Sequence, residues 1–206
     1  MDKQKRATLK TITKSILLAG TSLSFGSQIS PLFAADQKVA LFYASKYGAT
    51  FDTSKWIAEG MSQKTAIVNI NDNQAANTAL NQNAKFILGS AVYRERPMDS
   101  MLSFIETHAQ QLGDRVVASF VVCGTQANSD KNQQRINHYL HTLNEPLLHK
   151  PSLSRQLGGR LIVEKLDAED RAKLTRFYNK VLKKPLLDWD RTDRALAMRL
   201  AQEIKL

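Results

Sequence analysis

The sequence predicts an α/β domain built as a doubly wound, five-stranded parallel sheet, and two observations carry that prediction. Apolar runs of strand length recur along the chain, and helix-length segments alternate with them. The first run, Lys38-Val-Ala-Leu-Phe-Tyr-Ala44, lacks polar alternation, as expected of a central strand buried on both faces. Lys85 to Ser90 and Arg115 to Cys123 have the same character, while Ala66 to Ile70 and Leu161 to Val163 are shorter strand candidates. Helical segments are expected near 51–62, 99–111, 131–144 and 168–183, with a final one near 191–204.

The helix after Asp167 is the most clearly signalled. Asp167 is placed to cap it, Glu169 and Asp170 fall in its first turn, and Lys183-Lys184 close it before Pro185. That order complements the helix dipole. Leu174, Phe177, Tyr178, Val181 and Leu182 recur at helical spacing and form one apolar face. Packing of this face on the sheet is the ordinary expectation. The alternative is contact of the basic 168–184 helix with a membrane surface, because Lys173, Arg176, Lys180, Lys183 and Lys184 surround the face.

The chain has 206 residues, 43% of them hydrophobic, which suits one domain rather than a disordered chain. Its net charge is +10. Residues 1–35 hold five basic groups and one acid, Asp2, a balance of +4. They read as an export signal, with a basic start, a short apolar stretch from Ile16 to Phe25, and Pro31-Leu-Phe-Ala-Ala35. The apolar stretch is far shorter than the ~20 residues that span a bilayer. Within the basic start, Lys5-Arg6-Ala7-Thr8-Leu9-Lys10 looks like a variant twin-arginine signal, the rival being an ordinary secretory one. Either route predicts an exported, periplasmic domain over 36–206.

The remaining positive charge favours acidic partners, lipid headgroups or an anionic substrate. No helix-turn-helix, zinc or RNA-stacking motif points to nucleic acid. A single cysteine, Cys123, rules out an intramolecular disulfide, and none of the four histidines falls in a metal-ligating pattern, so no metal site is expected.

Ligands of such sheets bind beyond the carboxyl ends of the strands, where strand order reverses. The first strand runs into Ser45-Lys46-Tyr47-Gly48-Ala49-Thr50, and a helix follows. Ser45 and Thr50 offer hydroxyls, Gly48 permits close backbone approach, and the amides at the helix start point at an anion. No Gly-Lys-Ser/Thr pair follows and the three-glycine dinucleotide fingerprint is missing, so the loop is neither a triphosphate loop nor a dinucleotide loop.

Phe42-Tyr-Ala-Ser-Lys-Tyr-Gly-Ala-Thr50, followed by Trp56-Ile57-Ala58, resembles the phosphate loop of flavodoxins, and more specifically of the branch containing menaquinone-dependent protoporphyrinogen oxidase. Tyr47 departs from the usual hydroxyl residue at its position. Phe86-Ile-Leu-Gly-Ser-Ala-Val-Tyr93 is similar to the family's third strand and second flavin loop, and Gly158-Gly-Arg-Leu161 and Asp188-Trp-Asp190 to its late strand and final helix start. The resemblance implies a flavodoxin-like fold with FMN as cofactor. Ser45, Lys46, Tyr47, Gly48, Ala49 and Thr50 would then hold the FMN phosphate. Ser90, Ala91, Val92 and Tyr93 would border the isoalloxazine, with Tyr93 a stacking candidate or simply a half-buried loop aromatic. Cys123, Gly124 and Thr125 would open the third loop. Lys46 pointing into solvent, and Cys123 serving as a small buried hydrophobe, are the plainer alternatives.

The same resemblance implies an oxidoreductase in which substrate delivers a hydride to flavin N5 and a quinone takes the electrons. Arg94 and Arg96 would be placed for substrate carboxylates, or would be ordinary exposed loop arginines. No catalytic residue is assigned. An electron carrier serving a redox protein partner, and a flavin-free interaction module, are the other two readings.

Overall fold

Val39, Ala40, Leu41, Phe42 and Ala44 are all fully buried, so the first strand has no solvent face and must be covered on both sides. In the computed structural model, which describes residues 38–206, it is the second strand of a parallel sheet. The export-signal reading of residues 1–35 lies outside the described residues.

In chain order the elements are β1 (Val39–Ala44), α1 (Ala49–Gly60), β2 (Thr65–Asn69), α2 (Asn73–Gln82), β3 (Lys85–Tyr93) and β4 (Arg96–Pro97). Next come α3 (Asp99–Thr107), α4 (Ala109–Leu112), β5 (Val116–Cys123), α5 (Asp130–Asn144), β6 (Leu153–Gly158) and β7 (Arg160–Leu161). The chain ends with α6 (Ala168–Phe177), which runs on into a π turn over Tyr178–Leu182, then β8 (Trp189–Asp190) and α7 (Arg194–Glu203).

The five long strands are parallel in the order β2-β1-β3-β5-β6. Alternate residues of β1 feed opposite cores. Val39 and Leu41 meet Ile57 of α1 and Ala197, Leu200 and Ala201 of α7. Ala40, Phe42 and Ala44 meet the other face, with Leu80 of α2, Ile105 of α3 and Tyr139 of α5. The sheet is therefore doubly wound, as its sequence predicts.

Strand order reverses between β1 and β3, and the register brings the strand ends level. Ala44 lies opposite Ser90, Ala91 opposite Val122, and Cys123 opposite Gly158. Four loops therefore leave the same carboxyl edge, where a ligand site is expected.

Three expectations are corrected. Leu161 to Val163 is not a strand of the main sheet: Arg160–Leu161 pairs antiparallel with Trp189–Asp190, and Val163–Lys165 is a 3-10 turn. The fifth strand is Leu153–Gly158, a half-exposed edge strand too polar to advertise itself. The sequence reading also has no helix over Asn73–Gln82, whose buried residues are only Ala76, Ala79 and Leu80. Finally, the apolar face of α6 does not pack on the sheet. Asp170 is the sole buried residue of α6, and the π turn that follows has none.

Candidate functional site

β1 ends at Ala44 and the chain turns through Ser45 to Gly48 into α1. Gly48 has φ +90, a left-handed conformation that favours glycine, and its amide donates to Ser45 Oγ at 3.1 Å. The first helical hydrogen bond runs from the Asp52 amide to the Gly48 carbonyl at 3.0 Å. The amides of Ala49, Thr50 and Phe51 therefore have no intrahelical acceptor. Beneath them the Thr50 side chain is fully buried and its Oγ1 has no partner.

A second donor reaches this loop from across the sheet. Arg160, just past β6, lies over the start of α1, with one guanidinium nitrogen 3.8 Å from where a Gly48 Cβ would sit. It pairs with Asp52, which also binds Lys55 at 2.8 Å. Burial opposes ionisation of Asp52, but these two cations outweigh it and hold its pKa below the usual carboxylate range. The Arg160 side chain is 19% exposed, and its Nε is buried without a partner. A backbone turn with free amides, a buried orphan hydroxyl and a buried orphan guanidinium N–H fit a phosphate group.

The loop opens into a cleft of about 750 Å³, within the ~300–1,000 Å³ of small-molecule sites. Ser45, Lys46, Tyr47, Ala49 and Thr50 line its first side, Ala91, Val92, Tyr93 and Arg94 its second, and Cys123, Gly124 and Thr125 its third. Burial pushes the Cys123 thiol up, and its Sγ–H donates to the Thr125 carbonyl at 3.7 Å. It therefore packs as a small hydrophobe. Three residues expected at the site, Gly48, Ser90 and Arg96, do not line the cleft. The Ser90 hydroxyl donates to the Ala91 carbonyl at 2.9 Å and accepts from the Met98 amide at 3.0 Å, which fixes the β3–β4 hairpin. Arg96 turns to Asp99 at 3.3 Å. Gly48 shapes the loop through its left-handed turn.

Asp170 of α6 draws two of these loops together. It accepts from Lys46 Nζ at 2.6 Å, from the Tyr47 hydroxyl, and from the Tyr93 hydroxyl at 2.5 Å. Burial works against its carboxylate, but the three donors outweigh burial and hold its pKa at about 2. Tyr47 is pushed up to about 12 by burial and by its bond to Asp170. Lys46 is raised by Asp167, 2.8 Å away, and by Asp170. Lys46 is thus exposed at the surface and at the same time tied to α6 through Asp167 and Asp170. The Tyr93 ring has Lys46 4.8 Å and Arg94 4.9 Å from its centroid, within cation–π range. Arg94 pairs with Glu169 at 3.0 Å.

The remaining walls come from residues that the sequence reading singled out but did not assign to the site. Leu174, Phe177, Tyr178 and Leu182 of the helical segment line the cleft, as does Trp189 of β8. Trp189 Nε1–H donates to the Tyr178 hydroxyl at 2.8 Å, and the indole lies so close to Gly124 that a Cβ there would come within 2.5 Å of the ring. At the far end the Tyr139 hydroxyl donates to Glu95 at 2.6 Å, and Arg135 pairs with the same carboxylate. Burial opposes the charge on Glu95, but these two partners hold its pKa low. Arg94 and Glu95 form the hairpin tip in left-handed conformations, φ 52 and φ 66, which are uncommon for residues with side chains. The sequence signal for Arg160 was its place in Gly158-Gly-Arg-Leu161, the segment similar to the family's late strand.

A family model described as flavodoxin domain matches residues 40–185. No curated protein matches the chain. Among solved structures, the metal-soaked flavodiiron core of Synechocystis sp. PCC6803 is 18% identical with a TM-score of 0.43; the match covers 61% of this chain and 31% of that one. Flavodoxin 1 from Bacillus cereus is 18% identical with a TM-score of 0.41, over 71% of this chain and 97% of that one. A Fusobacterium nucleatum flavodoxin bound to flavin mononucleotide is 13% identical with a TM-score of 0.42, over 57% of this chain and 68% of that one.

Proposed function

The chain belongs to the flavodoxin-domain family, and from that premise we propose that it binds FMN and works as an oxidoreductase between an organic substrate and a quinone, in the manner of menaquinone-dependent protoporphyrinogen oxidase. One observation carries the cofactor reading. Two buried donors without partners, Thr50 Oγ1 and Arg160 Nε, flank a turn whose amides are also unused. Buried polar groups are almost always paired, so donors grouped in this way call for an anionic guest.

The loop from Ser45 to Thr50, together with Arg160, would hold the phosphate. Ala91, Val92 and Tyr93 on one side, and Cys123, Gly124 and Thr125 on the other, would border the ring system. When bound, FMN supplies the electron chemistry, and the protein supplies binding, orientation and electrostatics. Leu174, Phe177, Tyr178, Leu182 and Trp189 give the cleft an apolar wall suited to a flat organic molecule or a quinone. Lys46 and Tyr93 act through Asp170, holding the phosphate loop and the second loop against α6. Arg94 lines the cleft and, among the described residues, pairs only with the exposed Glu169 and, at 3.7 Å, Asp170, so a substrate carboxylate could displace Glu169. The same proposal takes residues 1–35 as an export signal of twin-arginine type.

The test is electron transfer from chemically reduced, FMN-loaded protein. The reading predicts fast oxidation by a menaquinone analogue and slow oxidation by a haem protein. Fast transfer to the haem protein alone would establish a carrier instead. Oxidation of a porphyrinogen, followed separately, decides the substrate.

A further inference from the structure

The helical segment over residues 168–182 is attached in an unusual way. Its one buried residue is polar, Asp170, and its other firm ties are also polar, such as the Tyr178 bond to Trp189. Its large apolar side chains are left outside. Val181 and Leu187 are 63% exposed, Phe177 43% and Leu182 42%. Together they form a contiguous stretch of sequence bearing water-exposed hydrophobes, the kind of surface that marks an interaction site.

The charges around it say what would cover it. Residues 171–187 contain Arg171, Lys173, Arg176, Lys180, Lys183 and Lys184 and no acidic residue. Lys173 is paired with Glu169, but among the described residues Arg176, Lys180, Lys183 and Lys184 make no ion pair. A second copy of the chain would bring the same cations face to face across a two-fold interface, which disfavours self-association. An anionic bilayer matches both features, taking the apolar side chains below its headgroups and the cations among them. No helix among the described residues is long and apolar enough to cross a membrane. We infer that the segment from Phe177 to Leu187, with its exposed apolar side chains and the cations interspersed among them, docks the domain on an anionic phospholipid surface. Phe177 and Leu182 also line the cleft, so docking would place the cleft mouth at the headgroup layer, within reach of lipid-soluble molecules. The docking itself does not depend on the flavin.

Sedimentation of the full chain with vesicles of phosphatidylcholine alone, or with one part in three phosphatidylglycerol, tests the inference. Binding is expected only to the anionic vesicles. A Val181→Asp, Leu187→Asp variant should lose at least tenfold in partition, since both positions are exposed and the fold is spared; an unchanged melting temperature verifies this. A Lys180→Gln, Lys183→Gln, Lys184→Gln variant should lose about fivefold per cation removed. Charges near the N-terminus are common to all the variants and cancel in the comparison. Equal sedimentation of parent and aspartate variant would overturn the inference. So would a parent that ignores anionic vesicles and instead elutes as a dimer dissociated by the aspartates.

Discussion

Replacing Thr50 by Val should raise the stability of the flavin-free protein and lower its affinity for FMN, two effects of opposite sign from one atom. The Thr50 side chain is fully buried and its Oγ1 has no acceptor or donor among the described residues. Leaving a buried hydroxyl unpaired costs about 1–3 kcal/mol, and Val presents a methyl of nearly the same shape with similar helix propensity. Taking about 1 kcal/mol as the gain, the melting temperature of the apoprotein should rise by roughly 2–4 °C for a domain of this size. With FMN present the same hydroxyl would donate to a charged oxygen, an interaction worth about 1.5–3 kcal/mol, so the variant should bind FMN roughly 10- to 150-fold more weakly. Thermal melts of the apoprotein and quenching of flavin fluorescence measure the two quantities separately. A variant that melts lower than the parent and binds FMN equally well would show that Thr50 serves the helix and not an anion.

Two further outcomes follow from the same geometry. Arg160→Met should weaken FMN at least tenfold in the same fluorescence titration and leave riboflavin, which has no phosphate, nearly unaffected; Asp52 keeps Lys55 as its partner, so the variant stays folded. Asp170, with its native pKa at about 2 against 3.8 for the free group, binds protons more readily in the unfolded chain. Its contribution is therefore complete above about pH 4 and is lost as pH falls toward 2, worth about 2 kcal/mol. Urea unfolding should show the parent losing that much more than Asp170→Asn over this interval, and parallel losses would remove Asp170 from its place as the tie between the loops.

The sequence made the strands at the centre of the sheet legible because burial on both faces leaves an unbroken apolar signal, as in Val39 to Phe42. The edge strand Leu153–Gly158 sends no such signal, since only Leu157 is buried, while the apolar Leu161 to Val163 nearby draws the eye instead. The helix Asn73–Gln82 presents alanines where larger residues would have marked its face. In α6 the periodicity correctly gave an apolar stripe, but a stripe does not say what it faces, and here it borders the cleft and solvent. The three loops were legible because each begins where a recognisable strand ends. Arg160 was not, because its position over α1 depends on a contact with Asp52, 108 residues away, and on a strand the sequence hides. Lys46 and Tyr93 were placed at the cleft, but their tie to α6 was not legible for the same reason: Asp170 reaches them from 124 and 77 residues downstream.

The central claim is that the turn between β1 and α1, with Arg160 above it, recognises the phosphate of a flavin. Titrating the apoprotein with FMN and with riboflavin isolates that group, because the two ligands share the same ring. Binding of FMN on the order of 100-fold tighter than riboflavin is the result predicted from several charge-assisted hydrogen bonds. Equal affinities, or binding of neither, would contradict it.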